Sequence, residues 1–273
     1  MHWVIQENLY REDGFKALLS ALDAQKVSYT VVKVVPFSHE LIPEIPEVVP
    51  GTGRIYACGG TTLLHIAQAR GWSPGVFHNG NFDYRVWGQE YGDLCLNHDA
   101  EILPFKEVPI GGMDDFFLRP LDDLKAFAGI TVTDQYLPSK TTLSHHAFRN
   151  WKDSVLLEGT GSFGDLTPET MILKAPTKLI TRETRFFVVQ GKVVAQSSYR
   201  HLGYPSFVET SHPARDAFVE AAIKRWQPLS SFVIDIADAE PDYKIVEINC
   251  INCAGFYAAD MGKVIAAIET EDY

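Results

Sequence analysis

Nothing in this sequence approaches the roughly 20-residue apolar run that a helix needs to cross a bilayer. Positive charge is also scarce. Lys and Arg number 24 against 35 Asp and Glu, a net charge of −11. That balance disfavours nonspecific binding to nucleic acid or to an anionic membrane, although a local basic pocket for phosphate is compatible with it. The opening residues, Met1-His2-Trp3-Val4-Ile5-Gln6-Glu7, lack the basic region, apolar stretch and cleavage site of a secretory leader. A cytoplasmic protein is expected. Cysteine is limited to Cys58, Cys95, Cys250 and Cys253. The last two form a C-x-x-C, but no second such pair and no nearby His pair completes a zinc set, so reduced thiols are expected. The glycine-rich stretch 158–164 is not followed by Gly-Lys-Ser/Thr, which excludes a Walker loop. Internal repeats and low-complexity segments are absent.

What is present suits a globular chain. The 273 residues are 46% apolar and 22% charged, enough for one large unit or two to three smaller ones. A short strand at 3–5 precedes Phe15, Leu18, Leu19 and Leu22, which fall on one helical stripe. Strands follow at 28–35 and 54–58, separated by a loop at 36–53 with four prolines and two glycines. Gly59-Gly60 is a tight turn before a helix over 63–70, capped by Thr61 or Thr62. This order predicts an open α/β unit with a parallel sheet. Gly59-Gly60-Thr61 is then either a plain turn or an anion contact at a helix N-terminus. Residues 71–97 read as an aromatic- and Gly-rich connection. Further strands are expected at 101–103, 116–118, 130–133 and 170–175, with helices near 139–152, 214–226 and 260–268.

Two hairpins carry the chemistry. In the first, residues 183–189 and 192–199 flank Gln190-Gly191, a strong two-residue turn signal. Centred there, the register sets Glu183 against Ser198 and Arg185 against Gln196. An ordinary cross-strand ion pair is the alternative reading of Glu183-x-Arg185. In the second hairpin, residues 231–237 and 244–249 flank a turn at 238–242. Centred on Pro241, it sets Asp235 opposite Glu247, with Asn249 on the same face because residues two apart in a strand share a side. Two carboxylates and an amide oxygen suit Mg²⁺ held together with phosphate. A solvated polar face is the alternative, but such faces usually mix Lys and Thr with the acids. His145-His146 point in different directions on a helix, which favours surface or packing roles.

The matching stretches are Phe117-Leu118-Arg119-Pro120 with Lys125, Glu183-Thr184-Arg185 and its hairpin with Ser198-Tyr199, and Glu247-Ile248-Asn249 with Ala254-Gly255-Phe256-Tyr257. In this order they resemble the ATP-grasp superfamily. More closely, they resemble its divergent clade named for one arginine and two lysines, found in phage and bacterial genomes and related to a eukaryotic translation-factor assembly protein. The resemblance implies an α+β ATP-grasp fold, two subdomains gripping ATP, over residues 106–273 with a subdivision near 170. An open α/β domain would occupy 1–105. It implies that Arg119 and Lys125 contact the phosphates and that Leu173, Lys174 and Ala175 form a hinge whose backbone reads adenine. Lys174 or Lys178 would touch the nucleotide. Glu183 would orient cations, Arg185 would face the transferred phosphoryl group, and Asp235, Glu247 and Asn249 would hold Mg²⁺. The acceptor is expected near Ser198, Tyr199, Asn252, Gly255 and Tyr257, with Gly59-Gly60 close by.

The implied activity is an ATP- and Mg²⁺-dependent carboxylate–amine ligase acting through an acyl phosphate. A peptide, a protein or a small amino compound would be its acceptor, and neither nucleic acid nor membrane its partner. An ATP-binding assembly chaperone and a kinase-like phosphotransferase are the rival readings. The long lysine-bearing loop that closes over phosphates in many ATP-grasp ligases has no clear counterpart here.

Overall fold

A computed structural model describes residues 1–7, 14–35, 38, 40–45, 53–110, 114–122, 126–135, 141–159 and 166–270. Its first sheet contains β1 (His2–Gln6), β2 (Ser28–Val34), β3 (Leu41–Ile42), β4 (Ile55–Cys58) and β5 (Pro74–Gly75), in the order β3-β2-β1-β4-β5. All pairings are parallel except β2 with β3. β1 and β4 lie inside the sheet with both faces covered, which is why they read as nearly continuous apolar runs. Helix α1 (Phe15–Ala24) buries Phe15, Leu18 and Leu22, the expected stripe. Helix α2 (Thr61–Ala69) begins before the expected start at Leu63. Its N-cap is Gly60, so Thr61 and Thr62 do not cap it.

The aromatic connection holds an unforeseen helix, α3 (Tyr84–Tyr91), started by Asp83, whose carboxylate accepts from the Arg85 backbone N–H. The second sheet is β6 (Glu101–Pro104), β7 (Phe116–Pro120), β8 (Ile130–Val132), β9 (Thr142–Leu143) and β10 (Met171–Pro176), ordered β6-β10-β7-β8-β9. Helix α4 (His145–Glu158) packs Phe148 and Val155 onto it. β6, assigned from sequence to the end of the N-terminal unit, therefore belongs to the second sheet, where it pairs with β10.

The third sheet follows the linker 177–181. It comprises β11 (Arg182–Val189), β12 (Lys192–His201), β13 (Tyr204–Val208), β14 (Ser231–Ala239) and β15 (Asp242–Asn249), ordered β13-β12-β11-β14-β15. Helix α5 (Pro213–Arg225) and helix α6 (Met261–Glu269) cover opposite sides. Phe186, Val188, Phe232 and Ile234 pack with α3 and α5. Phe187, Val189 and Val233 pack with α1, α6 and the first sheet. The period of two therefore assigns each residue of β11 and β14 to a face, and it carries Arg185 and Asp235 to the α6 side. No helix among the described residues is long and apolar enough to cross a membrane.

Candidate active site

The hairpin registers decide which side chains meet. The turn at Gln190-Gly191 forms as expected, with Val189 opposite Lys192. Two bulges in β12 then add a residue each, at Val194 and Tyr199. Arg185 consequently faces Ser197, not Gln196, and Glu183 faces Arg200, not Ser198. Ser198 instead pairs with Thr184 and takes a hydrogen bond from Arg182 Nη1 at 3.2 Å, on the α5 side of the sheet. The expectation that Ser198 lines the acceptor site is thus corrected. Ser197 lies on the α6 side, where its Oγ accepts from the Ala258 N–H at 3.1 Å. The second hairpin turns at Glu240-Pro241, half a residue off the expected centre, and a bulge at Val246 restores Asp235 opposite Glu247.

At the centre is Arg185, 6% exposed. Its Nε and Nη2 each donate to Asp235 at 2.8 Å, a planar fork on a carboxylate that is itself 1% exposed. Nη1 donates to the Gly255 carbonyl at 3.4 Å, and Nη2 lies 3.6 Å from Glu247 Oε1. Burial works against the guanidinium charge, but Asp235 outweighs it and holds the pKa above its ordinary value. The guanidinium lies over the rings of Tyr199 and Tyr257, at 5.7 and 5.2 Å. Tyr199 stacks on Tyr257 and gives its hydroxyl to Glu183 at 2.7 Å. Burial, then Asp235 and Glu183, pushes its phenol pKa well up. The other Glu183 oxygen accepts from Arg200 at 2.9 Å. Both Glu183 oxygens therefore hold neighbouring side chains in place.

Arg119 reaches this cluster from β7. Its Nη1 stands 3.8 Å from Glu247 Oε2, and its guanidinium lies 5.4 Å over the Tyr84 ring. The Arg119 Nε is buried and meets no hydrogen-bond partner among the described residues. Glu247 is thus flanked by two arginines and one carboxylate. Its pKa is pushed up to about 7, by burial first and by Asp235 next, against the pull of Arg185 and Arg119. Solvent still reaches 34% of that side chain.

Asp235 offers little to a cation, because it is 1% exposed and each of its oxygens already accepts from Arg185. Glu247 and Asn249, two apart on β15 and both only part-buried, are the open oxygen donors. Among the described residues no three His, Cys, Asp or Glu side chains gather around one point. A sparse oxygen set still fits Mg²⁺, which keeps several waters and binds through one or two carboxylates plus phosphate.

Register also separates the two lysine candidates. Lys174 pairs with Leu118, and Leu173 with Arg119. Lys174 therefore points to the α4 face, away from Arg119, where it lies over the Phe116 ring and lines a cavity of about 190 Å³ with His145 and Asp114. Its expected nucleotide contact is corrected on that ground. Lys178, in the linker, binds Asp99 at 2.7 Å and the Pro176 carbonyl at 3.3 Å. Within the expected hinge, Leu173 and Lys174 are in ladders on both sides, which commits their backbone to the sheet. Ala175 pairs with β7 alone and is the first residue beyond the β6 pairing with an open flank. Lys125 lies outside the described residues, as does most of the 158–164 stretch.

Asn252, expected to meet the acceptor, is saturated as a fastener. It is 2% exposed, its Nδ2 donates to Ala57 O and Gly75 O at 2.6 and 3.2 Å, and its Oδ1 accepts from Phe77 N at 2.8 Å. Its carbonyl accepts from Gly59 N at 2.9 Å, and Gly60 N is bound to Gln6 Oε1 at 2.9 Å. The Gly59 and Gly60 N–H groups are thus both taken within the fold and are not open to an anion. A Cβ on Gly59 would come within 2.6 Å of Gln6 Cβ. Replacing Asn252 by alanine strips three buried groups of their partner and is expected to lower stability by at least about 1–3 kcal/mol. Urea denaturation measures it. An unchanged midpoint with loss of acceptor binding would restore the acceptor role. Sequence reasoning missed Ser197, Arg200 and Tyr84. The first two depend on bulges that have no local signature, whereas Asp83 before an amphipathic stretch was a readable helix start for the segment bearing Tyr84.

A family model for an ATP-grasp domain, family 3 of the clade named for one arginine and two lysines, matches residues 118–268, more than half of the chain. No curated protein matches the sequence significantly. Among solved structures, the chain is similar to a RimK domain protein ATP-grasp from Sphaerobacter thermophilus. Identity is 13% and the TM-score 0.63, covering 97% of this chain and 98% of that one. It is also similar to a D-alanine–D-alanine ligase from Bacillus anthracis complexed with ATP, at 12% identity, TM-score 0.59 and coverages of 99% and 96%. A third is the macrocyclase MdnC bound with precursor peptide MdnA from Microcystis aeruginosa, at 11% identity, TM-score 0.53 and coverages of 98% and 99%. At these identities the likeness establishes the fold, α+β ATP-grasp.

Proposed function

This chain belongs to family 3 of the ATP-grasp clade named for one arginine and two lysines, and from that membership we propose that it is an ATP-dependent ligase joining a carboxylate to an amine. One observation carries the reading: Arg119 and Arg185 converge from two different sheets on Glu247, with the Arg119 Nε buried and unpartnered among the described residues. A buried donor without a partner is costly, and a phosphate oxygen would satisfy it. Two of the structural neighbours are named as a ligase complexed with ATP and a macrocyclase bound with a precursor peptide, which supports the same direction.

In the proposed reaction a carboxylate oxygen bonds to the γ-phosphorus while the bond to ADP breaks. The amine nitrogen then bonds to the acyl carbon, the acyl–phosphate C–O bond breaks, phosphate leaves, and the amine proton passes to solvent. Arg119 binds and orients phosphate oxygens. Arg185 has five N–H donors, of which two serve Asp235 and one Gly255, leaving donors for charge that develops in transfer. Asp235 positions Arg185, and Glu183 positions Tyr199 and Arg200. Glu247 and Asn249 would hold Mg²⁺, which when bound offsets phosphate charge. Lys178 contacts the nucleotide from the linker and Lys125 the phosphates. Tyr199, Gly255 and Tyr257 border the acceptor.

Incubation with Mg-ATP and pooled carboxylates and amines tests the reading. ADP and phosphate release with a condensed product of matching mass is expected. A phosphorylated product would favour the phosphotransferase, and ATP binding without turnover the assembly chaperone. Arg119→Ala is expected to weaken ATP affinity by about 1–3 kcal/mol, the range for a charge-assisted hydrogen bond. Unchanged affinity by calorimetry counts against its role.

A further inference from the structure

β13 is an edge strand with none of the charge that usually protects one. It pairs with β12 on one side, and its outer side has no ladder partner among the described residues. The opposite edge of the same sheet is covered, since Leu96 N donates to Ile245 O on β15 at 2.8 Å. Tyr204-Pro205-Ser206-Phe207-Val208 contains no charged residue, and Pro205 is its only device against pairing. Of the ten large hydrophobic side chains exposed among the described residues, three fall in this strand, Tyr204, Phe207 and Val208, and a fourth, Leu202, in the turn before it. A row of open main-chain donors and acceptors is matched by another extended main chain, and by few other chemical classes.

The edge is continuous with the site. Phe207 stacks on Tyr257 at 5.4 Å, Tyr257 stacks on Tyr199 at 5.1 Å, and Arg185 lies over both tyrosines. Phe207 is on the α6 side with them. Val208, paired with Ser198, is on the other side, as is Tyr204 by alternation. A strand added outside β13 would lie about 15 Å from β11, three strand spacings away. A long side chain or a few extended residues, at about 3.3 Å each, cover that distance over the aromatic row.

We infer that the outer edge of β13 receives an extended polypeptide as a sixth strand, and that the acceptor of the ligase is therefore a peptide segment. This rests on the ligase reading and narrows it, because a small amino compound would have no use for the edge. The added strand gains affinity from main-chain hydrogen bonds, and Phe207 with Tyr257 guides its reactive group toward Arg185.

The test uses the full chain, an immobilised pool of random ten-residue peptides, and the same pool N-methylated at alternate amides. Retention on the unmethylated pool is expected to be at least tenfold stronger, with slowed hydrogen exchange at 204–208. The double variant Tyr204→Lys and Val208→Lys, on the face away from the site, is expected to lose that retention and keep ATP binding. Equal retention on both pools, or no retention on either, overturns the inference. Protection of 204–208 that depends on protein concentration alone, with a sedimenting dimer, overturns it in favour of a second copy. Condensation of small amines at a rate unaffected by the double variant sinks the peptide edge and leaves the ligase. Absence of ATP binding in the unaltered protein sinks the ligase itself.

Discussion

Arg185→Lys is expected to lower the maximal rate by roughly 10²–10³-fold, the loss that follows removal of one preorganised donor, while ATP affinity changes far less. The reason is geometric. Arg185 is held by a two-bond fork to Asp235 and by two tyrosine rings, and its remaining N–H groups are fixed in direction. A lysine ammonium keeps the charge but cannot make the planar fork, so it settles on Asp235 and withdraws from the reacting group. An interaction made mainly in the transition state shows in turnover, not in ground-state binding. Full rate in the lysine variant on a verified substrate, or a loss confined to ATP binding, removes Arg185 from the chemistry. Arg185→Met should be worse for folding. It leaves the buried carboxylate of Asp235 unpaired, which costs about 3–5 kcal/mol, and Asp235→Asn in the same chain should return much of that. Denaturation of the two single variants and the double variant gives the coupling.

Glu247→Gln is expected to separate stability from activity. The Glu247 carboxyl titrates at about 7 in the fold, above its ordinary value of 4.5. A raised pKa means that the fold favours the protonated form. The associated stability is complete below pH 4.5 and is lost as pH rises from 4.5 through about 7. Glutamine resembles the protonated form. The variant should therefore melt higher than the unaltered protein at about pH 8 in the absence of Mg²⁺, and at nearly the same temperature at pH 4.5. Solvent reaches a third of the side chain, so screening holds the gain to roughly 1 kcal/mol or less. Mg²⁺-dependent turnover should fall by roughly 100-fold or more, since the amide removes the more open of the two carboxylates in the cluster. Thermal melts at the two pH values check the first part, and ADP release against Mg²⁺ concentration checks the second. A lower melting temperature at the alkaline pH would mean that the Arg119 and Arg185 contacts outweigh the crowding by Asp235.

Apolar patterning was enough to place most of the strands and helices, but not the short strands β3, β5 and β9 or the edge strand β13. Along each strand a period of two has to match a buried face, and this is a local property that survives without knowledge of partners. The amphipathic stripe of α1 and the turns at Gln190-Gly191 and Glu240-Pro241 are readable for the same reason. The family motifs around Arg119, Arg185 and Glu247 were readable as well, because each is a short stretch within one strand and they follow one another in sequence order. Which side chains share a face was settled in three dimensions. One bulge residue moves every later residue of a strand to the opposite side, so Ser198 left the site and Ser197 entered it. Pairing across the second sheet likewise turned Lys174 away from Arg119. Saturation was equally hidden. Asn252 is a free polar residue in the sequence, and its amide became a fastener when β4 and the segment at 75–77 closed around it. A buried polar group takes whatever partners the fold brings, and those partners are remote in the chain.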